Sequence, residues 1–232
     1  MTDPSQGETH AWEDPPVGTA RFRKKDFWSA ENLKFSRPGY RIEKASRIIN
    51  KIADGKRIDL LDIGCGPAAL QYLLDKNINY YGIDIAINSP APNLMEVNLL
   101  ESTIKFGEKK FDIIVAQGLF EYMGKLQEQK FSEISKLLND GGKFVVSYVN
   151  FGHREPQIYA PYSNVQPLSA FKESLAGYFQ IDRFFPASHN WAHRQPDQLH
   201  FRKLQLILSV NIPVISRSLA VEYFFICSLR PQ

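Results

Sequence analysis

The stretch that most constrains this chain is Leu60 to Leu70, LLDIGCGPAAL: a branched apolar run, an acid at Asp62, and two glycines separated by one residue. The run Ile58, Leu60, Leu61 and Ile63 is short and bounded by glycine, the composition of a strand buried on both faces of a parallel sheet. Gly64 and Gly66 then predict a sharp turn. Its backbone can take torsions closed to other residues, and without a Cβ it lets a ligand approach the peptide groups. Beyond it, Ala69, Leu70, Leu73 and Leu74 recur at helical spacing, which predicts a helix from Ala68 with its amino end towards the ligand.

Two kinds of nucleotide site use such a turn. A dinucleotide fingerprint reads G-x-G-x-x-G, and Ala69 stands here in place of its third glycine. The alternative reads D-x-G-x-G, where the acid faces a ligand that carries positive charge. Asp62 is that acid, and it would repel a pyrophosphate. A second acid follows at the end of another buried strand: NINYYGIDIA places Asp84 18 residues past Gly66 (84 − 66). A carboxylate there can accept hydrogen bonds from both hydroxyls of a ribose. Neither acid separates the two readings alone; Asp62 tips the choice.

On these motifs, residues 40–150 resemble a class I S-adenosylmethionine (SAM) dependent methyltransferase. The resemblance implies SAM as cofactor and S-adenosylhomocysteine as product. It also implies that Asp62 lies near the ammonium end of the cofactor and that Gly64 and Gly66, with Cys65 between them, line its amino-acid portion. Asp84 belongs to the ribose, and Ile85 beside it to the cofactor site. Asn98, with Leu99 beside it, stands where the family commonly has an Asp that meets the adenine amine. An Asn carbonyl accepts the same hydrogen bond, and an ordinary turn Asn is the alternative. Relatives often bring a basic or aromatic side chain from the preceding helix to the ligand carboxylate, for which Arg37, Tyr40 and Arg41 are candidates.

The remaining elements alternate. RIEKASRIINKIADG is an amphipathic helix, with Ile42, Ala45, Ile48, Ile49 and Ile52 on one face and Gly55 as its stop. After Asp84, Pro90 and Pro92 forbid the long helix usual at that point, and Leu94 to Val97 forms a short strand. Phe111 to Ala116 is a further buried strand, with Gln117 and Gly118 at its carboxyl end, the ligand side of an open parallel sheet. The resemblance implies that this end touches the methionine part of SAM and that Phe120, Glu121 and Tyr122 open towards the acceptor. Methyltransferases acting on exocyclic or amide nitrogen typically have Asn or Asp followed by two prolines there. Gln117, Gly118 and Leu119 disfavour that branch.

KLQEQKFSEISKLLNDGG predicts a helix stopped by two glycines, KFVVSYVNF a fifth strand, LSAFKESLAGYF a helix, FQIDRFF a sixth strand and VEYFFICSL the last. The fold class expected is α/β: a Rossmann-like, doubly wound sheet of seven strands, mostly parallel with the last antiparallel, and helices on both faces. NFGHREPQIYAPYSN breaks the alternation at a strand's carboxyl end and reads as an active-site loop; VNFGHR is similar to a phrase in methyltransferases grouped with MetW. Ser188 to Ala220 reads as an insertion between the last two strands that forms a lid. The expected organisation is a mobile tail at 1–20 and a single domain at 21–232, with an N-terminal cap over 21–55.

Methyl transfer from a sulfonium requires the acceptor in line with the methyl carbon, water excluded, and a proton removed where the acceptor is a hydroxyl. Neutral imidazole is the natural base near neutral pH. His153 is the first candidate and His189 and His193 the next. Glu121, Tyr122, Tyr159, Tyr162 and Trp191 suit a small-molecule acceptor of mixed polarity, and methylation at a hydroxyl oxygen is the expectation. Two rivals remain: a non-catalytic SAM-binding accessory of a biosynthetic enzyme, and a nicotinamide-dependent dehydrogenase.

Composition narrows the partners. At 44% hydrophobic and 23% charged residues, the 232-residue chain is ordinary for a globular protein. The net charge of +3, with RFRKK as its one basic run, is too small to predict nucleic-acid binding. The two cysteines, Cys65 and Cys227, fit a reducing compartment. No metal-ligand spacing, signal-peptide core or membrane-length apolar run occurs, and a cytoplasmic location is expected.

Overall fold

The computed structural model describes residues 40–87, 89–150, 166–189 and 220–231, with the backbone alone for Tyr40, Ser188, His189 and Val221. The helix α1 (Tyr40–Ala53) leads into β1 (Ile58–Ile63), β2 (Ile78–Asp84), β3 (Leu94–Glu96) and β4 (Phe111–Ala116). Then come α2 (Gln127–Leu137), β5 (Leu138–Val149), α3 (Leu168–Tyr178), β6 (Phe179–His189) and β7 (Ala220–Leu229). The expected tail at 1–20, the first part of the cap and most of the insertion lie outside the described residues.

The seven strands form one sheet in the order β3-β2-β1-β4-β5-β7-β6. β1 pairs in parallel with β2 on one side and β4 on the other. The chain therefore reverses its direction of travel across the sheet between β1 and β4, and a crevice opens at the carboxyl ends of these strands. β7 runs antiparallel between β5 and β6, pairing Val149 with Glu222 and Phe144 with Cys227. Its amino end therefore lies where the parallel strands finish.

Alternation along the strands sorts their side chains onto two buried faces. Leu60 of β1, Ile113 and Val115 of β4 and Val145 of β5 join Ala45, Ile49 and Ala53 of α1. Leu61, Ile63, Ile114, Ala116, Phe144 and Val146 join Phe131 and Ile134 of α2 and Phe171 and Leu175 of α3. Helices thus cover both faces, as the continuous apolar strands require. The second face is rich in rings: Phe120 stacks on Phe131 at 4.6 Å between centroids, and Tyr148 on Phe171 at 3.7 Å.

Two local expectations are corrected. In place of a regular helix from Ala68 there is a short 3₁₀ segment, Ala69–Leu73. Ala68 takes a left-handed torsion (φ 55) and Leu74 is already extended, so the chain turns back at once to start β2 at Ile78. The glycine pair does not stop α2 either. That helix ends at Leu137, Leu138 is extended, and both glycines lie within β5. Pairing with β4 jumps from Phe111–Leu138 to Ile113–Lys143, so Gly141 (φ +77) and Gly142 form a bulge. A Cβ on Gly142 would sit 2.9 Å from the Asn139 carbonyl oxygen and 3.0 Å from that of Asp112.

Phe131 has no exposed surface and meets Phe120, Phe144, Phe171 and Phe179. Phe131→Ala should therefore lower the unfolding free energy by about 3–5 kcal/mol, read by urea denaturation; a loss under about 1 kcal/mol would mean that this ring cluster is not the packing centre of its face.

Candidate functional site

The crevice at the switch point is built from the ends of β1, β2 and β4 and closed on one side by α1 and β7. Asp84, the last residue of β2, fastens the turn that follows β1: one carboxylate oxygen accepts the Gly66 N–H at 2.8 Å and the other the Ala86 N–H at 3.2 Å. The Gly64 and Cys65 N–H groups both donate to the Ile83 carbonyl, at 2.8 and 3.1 Å, and the Ala68 N–H donates to Cys65. Pro67 has no N–H. The donors of the turn from Gly64 to Ala68 are therefore engaged within the protein, and a pyrophosphate would find none of them free. That argument against a dinucleotide is independent of the charge on Asp62.

Asp62 lies within β1 and is 3% exposed. Its Oδ2 accepts the Tyr80 hydroxyl of β2 at 2.7 Å. Burial pushes its carboxyl up to about 7, the charge of Asp84 adds to the rise, and the Tyr80 hydroxyl and Arg41 oppose it. Burial also raises Asp84, against the backbone groups of Gly66, Ala86 and Ile85. Two buried acids beside each other are costly without a cation, and a cationic ligand relieves both. Gly66 (φ +53) has open space where a Cβ would stand, so the turn presents a bare peptide face. Cys65 contributes backbone only: its sulfur packs against Gly82, and burial raises the thiol.

The other wall is at the end of β4. Gly118 (φ +60) carries the Arg41 guanidinium against its backbone, close enough that a Cβ would lie 2.6 Å from Nη1. Arg41 Nη1 donates to Glu222 Oε1 at 2.9 Å. The same oxygen accepts the Ser147 hydroxyl at 2.7 Å, and Ser147 Oγ accepts the Gly118 N–H at 3.0 Å. Glu121 is 4% exposed; burial, then Glu222, push its carboxyl up to about 8 against Arg41. Burial works against the charge on Arg41, but Glu222 and Glu121 outweigh it and raise its pKa. Among the described residues, the buried side-chain atoms with no hydrogen-bond partner are Arg41 Nε, Gln117 Oε1 and Glu121 Oε2. All three belong to this wall.

Asp62, Asp84, Ile85, Gly64, Cys65 and Gly66 thus meet on one side of the crevice, and Arg41, Gln117, Gly118 and Glu121 on the other. Asn98 Oδ1 accepts the Leu100 N–H at 3.1 Å, which shapes the turn after β3. Leu99 is buried in the core. Tyr122 is half-buried. Phe120 does not open towards an acceptor, because it is fully buried on Phe131. His153, Tyr159, Tyr162, Trp191 and His193 lie outside the described residues, as do Arg37 and the loop that continues VNFGHR beyond Asn150; His189 ends β6 and Tyr40 begins α1. Sequence reading passed over Glu222 and Ser147. The signal was an acid near the start of an otherwise apolar last strand, in a topology that brings that start to the ligand side.

Residues 38–194 match the family model described as "Methyltransferase domain", and the chain belongs to that family. Its fold is that of the class I SAM-dependent methyltransferases. It is similar to a SAM-dependent methyltransferase from Clostridium acetobutylicum, at 10% identity, covering 87% of this chain and 96% of that one with a TM-score of 0.57. A TehB-like SAM-dependent methyltransferase from Corynebacterium glutamicum shares 16% identity over 93% of this chain and 100% of its own, with a TM-score of 0.52. The N-methyltransferase NodS from Bradyrhizobium japonicum shares 12% identity over 83% and 97%, also with a TM-score of 0.52. At these identities the likeness is one of fold. No curated protein matches the chain.

The raised carboxyl of Asp62 has a stability consequence. A group at about 7 when folded and 3.8 otherwise stabilises the fold fully below its unfolded value, and that contribution is lost as pH rises through the folded one. Asp62→Asn, which cannot ionise, should gain stability relative to the wild type between about pH 4 and pH 8. Urea unfolding of both proteins at a series of pH values measures the difference; a difference that does not change with pH would mean that Asp62 is ionised throughout.

Proposed function

We propose that the chain transfers a methyl group from SAM to a small-molecule acceptor, at a hydroxyl oxygen, in biosynthetic or specialised metabolism. The observation that carries the cofactor assignment is the pair of buried acids, Asp62 and Asp84, around a glycine turn whose own N–H donors are engaged. Such a site offers acidic oxygens and a bare peptide face, which suits a nucleoside with a cationic tail and not a pyrophosphate. SAM, when bound, supplies an activated methyl group on a positively charged sulfur.

Asp84 holds the ribose hydroxyls with the lone pairs that Gly66 and Ala86 leave unused. Asp62 neutralises positive charge at the amino-acid end. Arg41 Nε and Gln117 Oε1, buried and lacking partners within the described chain, supply a donor and an acceptor for the same end. On the acceptor side, Glu121 and Tyr122 follow β4, and the sequence adds Tyr159, Tyr162 and Trp191. His153 is the proposed base, with His189 and His193 as alternatives. A hydroxyl acceptor is supported by these imidazoles and by Gln117, Gly118 and Leu119 standing where amide-directed relatives have their prolines.

Calorimetric titration with SAM and with S-adenosylhomocysteine tests the cofactor. Saturable binding is expected, and Asp84→Ala should weaken it roughly tenfold or more, the scale of losing hydrogen bonds to a charged group. The reading would be falsified if the wild-type protein bound neither compound. Methyl transfer to a panel of hydroxylated natural products and sugars then tests the acceptor class, and transfer confined to amines would sink the hydroxyl assignment.

A further inference from the structure

Glu222 is the buried acid that neither the glycine turn nor the acceptor side accounts for. It stands at the amino end of β7, opposite Val149 of β5, and is 2% exposed. A single oxygen, Oε1, receives both Arg41 Nη1 and the Ser147 hydroxyl, and Ser147 in turn receives the Gly118 N–H. One atom of β7 thus ties the first turn of α1 to β5 and to the residue after Gln117. A guanidinium has two edges on which a carboxylate can be bound by two hydrogen bonds. With Nη1 held by Glu222, the edge left is Nε with Nη2. Nε is buried without a partner, and Glu222 is the sole hydrogen-bond partner of Arg41 among the described residues. The side chain as a whole keeps 37% of its surface exposed, although Nε is buried.

We propose that Glu222 is a positioning residue: by holding Nη1 of Arg41 against Gly118, it presents the Nε–Nη2 edge to the carboxylate on the amino-acid portion of the bound cofactor. The inference rests on the SAM assignment above and adds a residue from the far end of the chain to it. Glu222 touches no ligand; it acts through Arg41. An arginine at the start of a helix would otherwise be free to swing into solvent, and the ion pair removes that freedom before a ligand arrives. Ser147 makes the arrangement stiffer, because its hydroxyl donates to the carboxylate oxygen that holds Arg41 and accepts the N–H of Gly118 beneath it.

The test compares S-adenosylhomocysteine, which has the carboxylate, with 5′-methylthioadenosine, which lacks the amino-acid portion. In Glu222→Ala, affinity for the first should fall about 10- to 100-fold, the range for a hydrogen bond to a charged group. Affinity for 5′-methylthioadenosine should stay within about twofold. Glu222→Gln keeps an acceptor oxygen for Nη1 and should restore most of the preference. The double variant Arg41→Ala/Glu222→Ala should show the same preference as Arg41→Ala alone, since Glu222 has nothing left to position.

Equal loss for both ligands, or a further loss of preference in the double variant, overturns the proposal. If Glu222→Ala does not fold, the comparison of the double variant with Arg41→Ala carries the same decision, because that variant removes both buried charges together. Wild-type protein that binds neither ligand overturns the cofactor assignment along with this inference. Wild-type binding with a preference that Glu222→Ala leaves intact overturns this inference alone.

Discussion

The carboxylate of Asp84 holds the glycine turn after β1 onto the end of β2, through the Gly66 N–H at 2.8 Å. The shape of the turn depends on that bond. It keeps Gly66 in a left-handed torsion with its face open, draws the turn against the Ile83 carbonyl, and leaves the chain so tightly reversed that only a 3₁₀ segment fits before β2. The acid is thus both a cofactor group under the proposed reading and the clasp of the loop that would hold the cofactor. The same residue type at the same place serves local structure and ligand binding, and the two roles use different lone pairs of one carboxylate.

The two walls of the crevice differ in their electrostatics. On the β1–β2 side, Asp62 and Asp84 are buried with neutral donors as partners, and burial raises both. On the β4 side, Glu121 and Glu222 face one arginine, and Glu121 is left high while Arg41 keeps its charge. Burial of four acids with a single guanidinium among them, close to Asp62, Glu121 and Glu222, is a cost that a fold selected only for stability would avoid. Such conflicts between local chemistry and stability collect at sites built for a ligand. A cationic, multiply hydrogen-bonding ligand would complement this distribution.

Much of the framework was legible from periodicity and glycine placement. β1, β2 and β4 are short, mostly apolar runs with a glycine or an acid at or just past their carboxyl ends (Gly64, Asp84, Gly118), α1 shows one apolar stripe, and the last strand was read as antiparallel. The misreadings share one cause. Ala69 to Leu74 has helical spacing, and Gly141–Gly142 follows a helix, but neither pattern reports how far the chain must travel to its next pairing partner. β2 begins only a few residues after the 3₁₀ segment, and β5 must start pairing at Leu138 to reach Phe111, so the glycines serve a bulge. Glu222 was missed for a related reason. Its strand reads as core, and its one acid acquires meaning only from a neighbour 181 residues away.

The sequence by itself determined the class of the sheet, the glycine turn and the two acids, Asp62 and Asp84, on either side of it, because these are local: a strand, a turn and an acid near a strand end are set by residues within a few positions. The resemblance named Arg41, Gln117, Gly118 and Glu121 of the opposite wall, but tertiary structure decided how that wall is joined. Arg41 on α1, Gly118 after β4, Ser147 on β5 and Glu222 on β7 become neighbours only when β7 inserts antiparallel between β5 and β6 and brings its amino end to the carboxyl ends of the others. Hydrogen bonds to a shared carboxylate oxygen have a reach of about 3 Å, and no pattern along the chain encodes which distant groups will come within it.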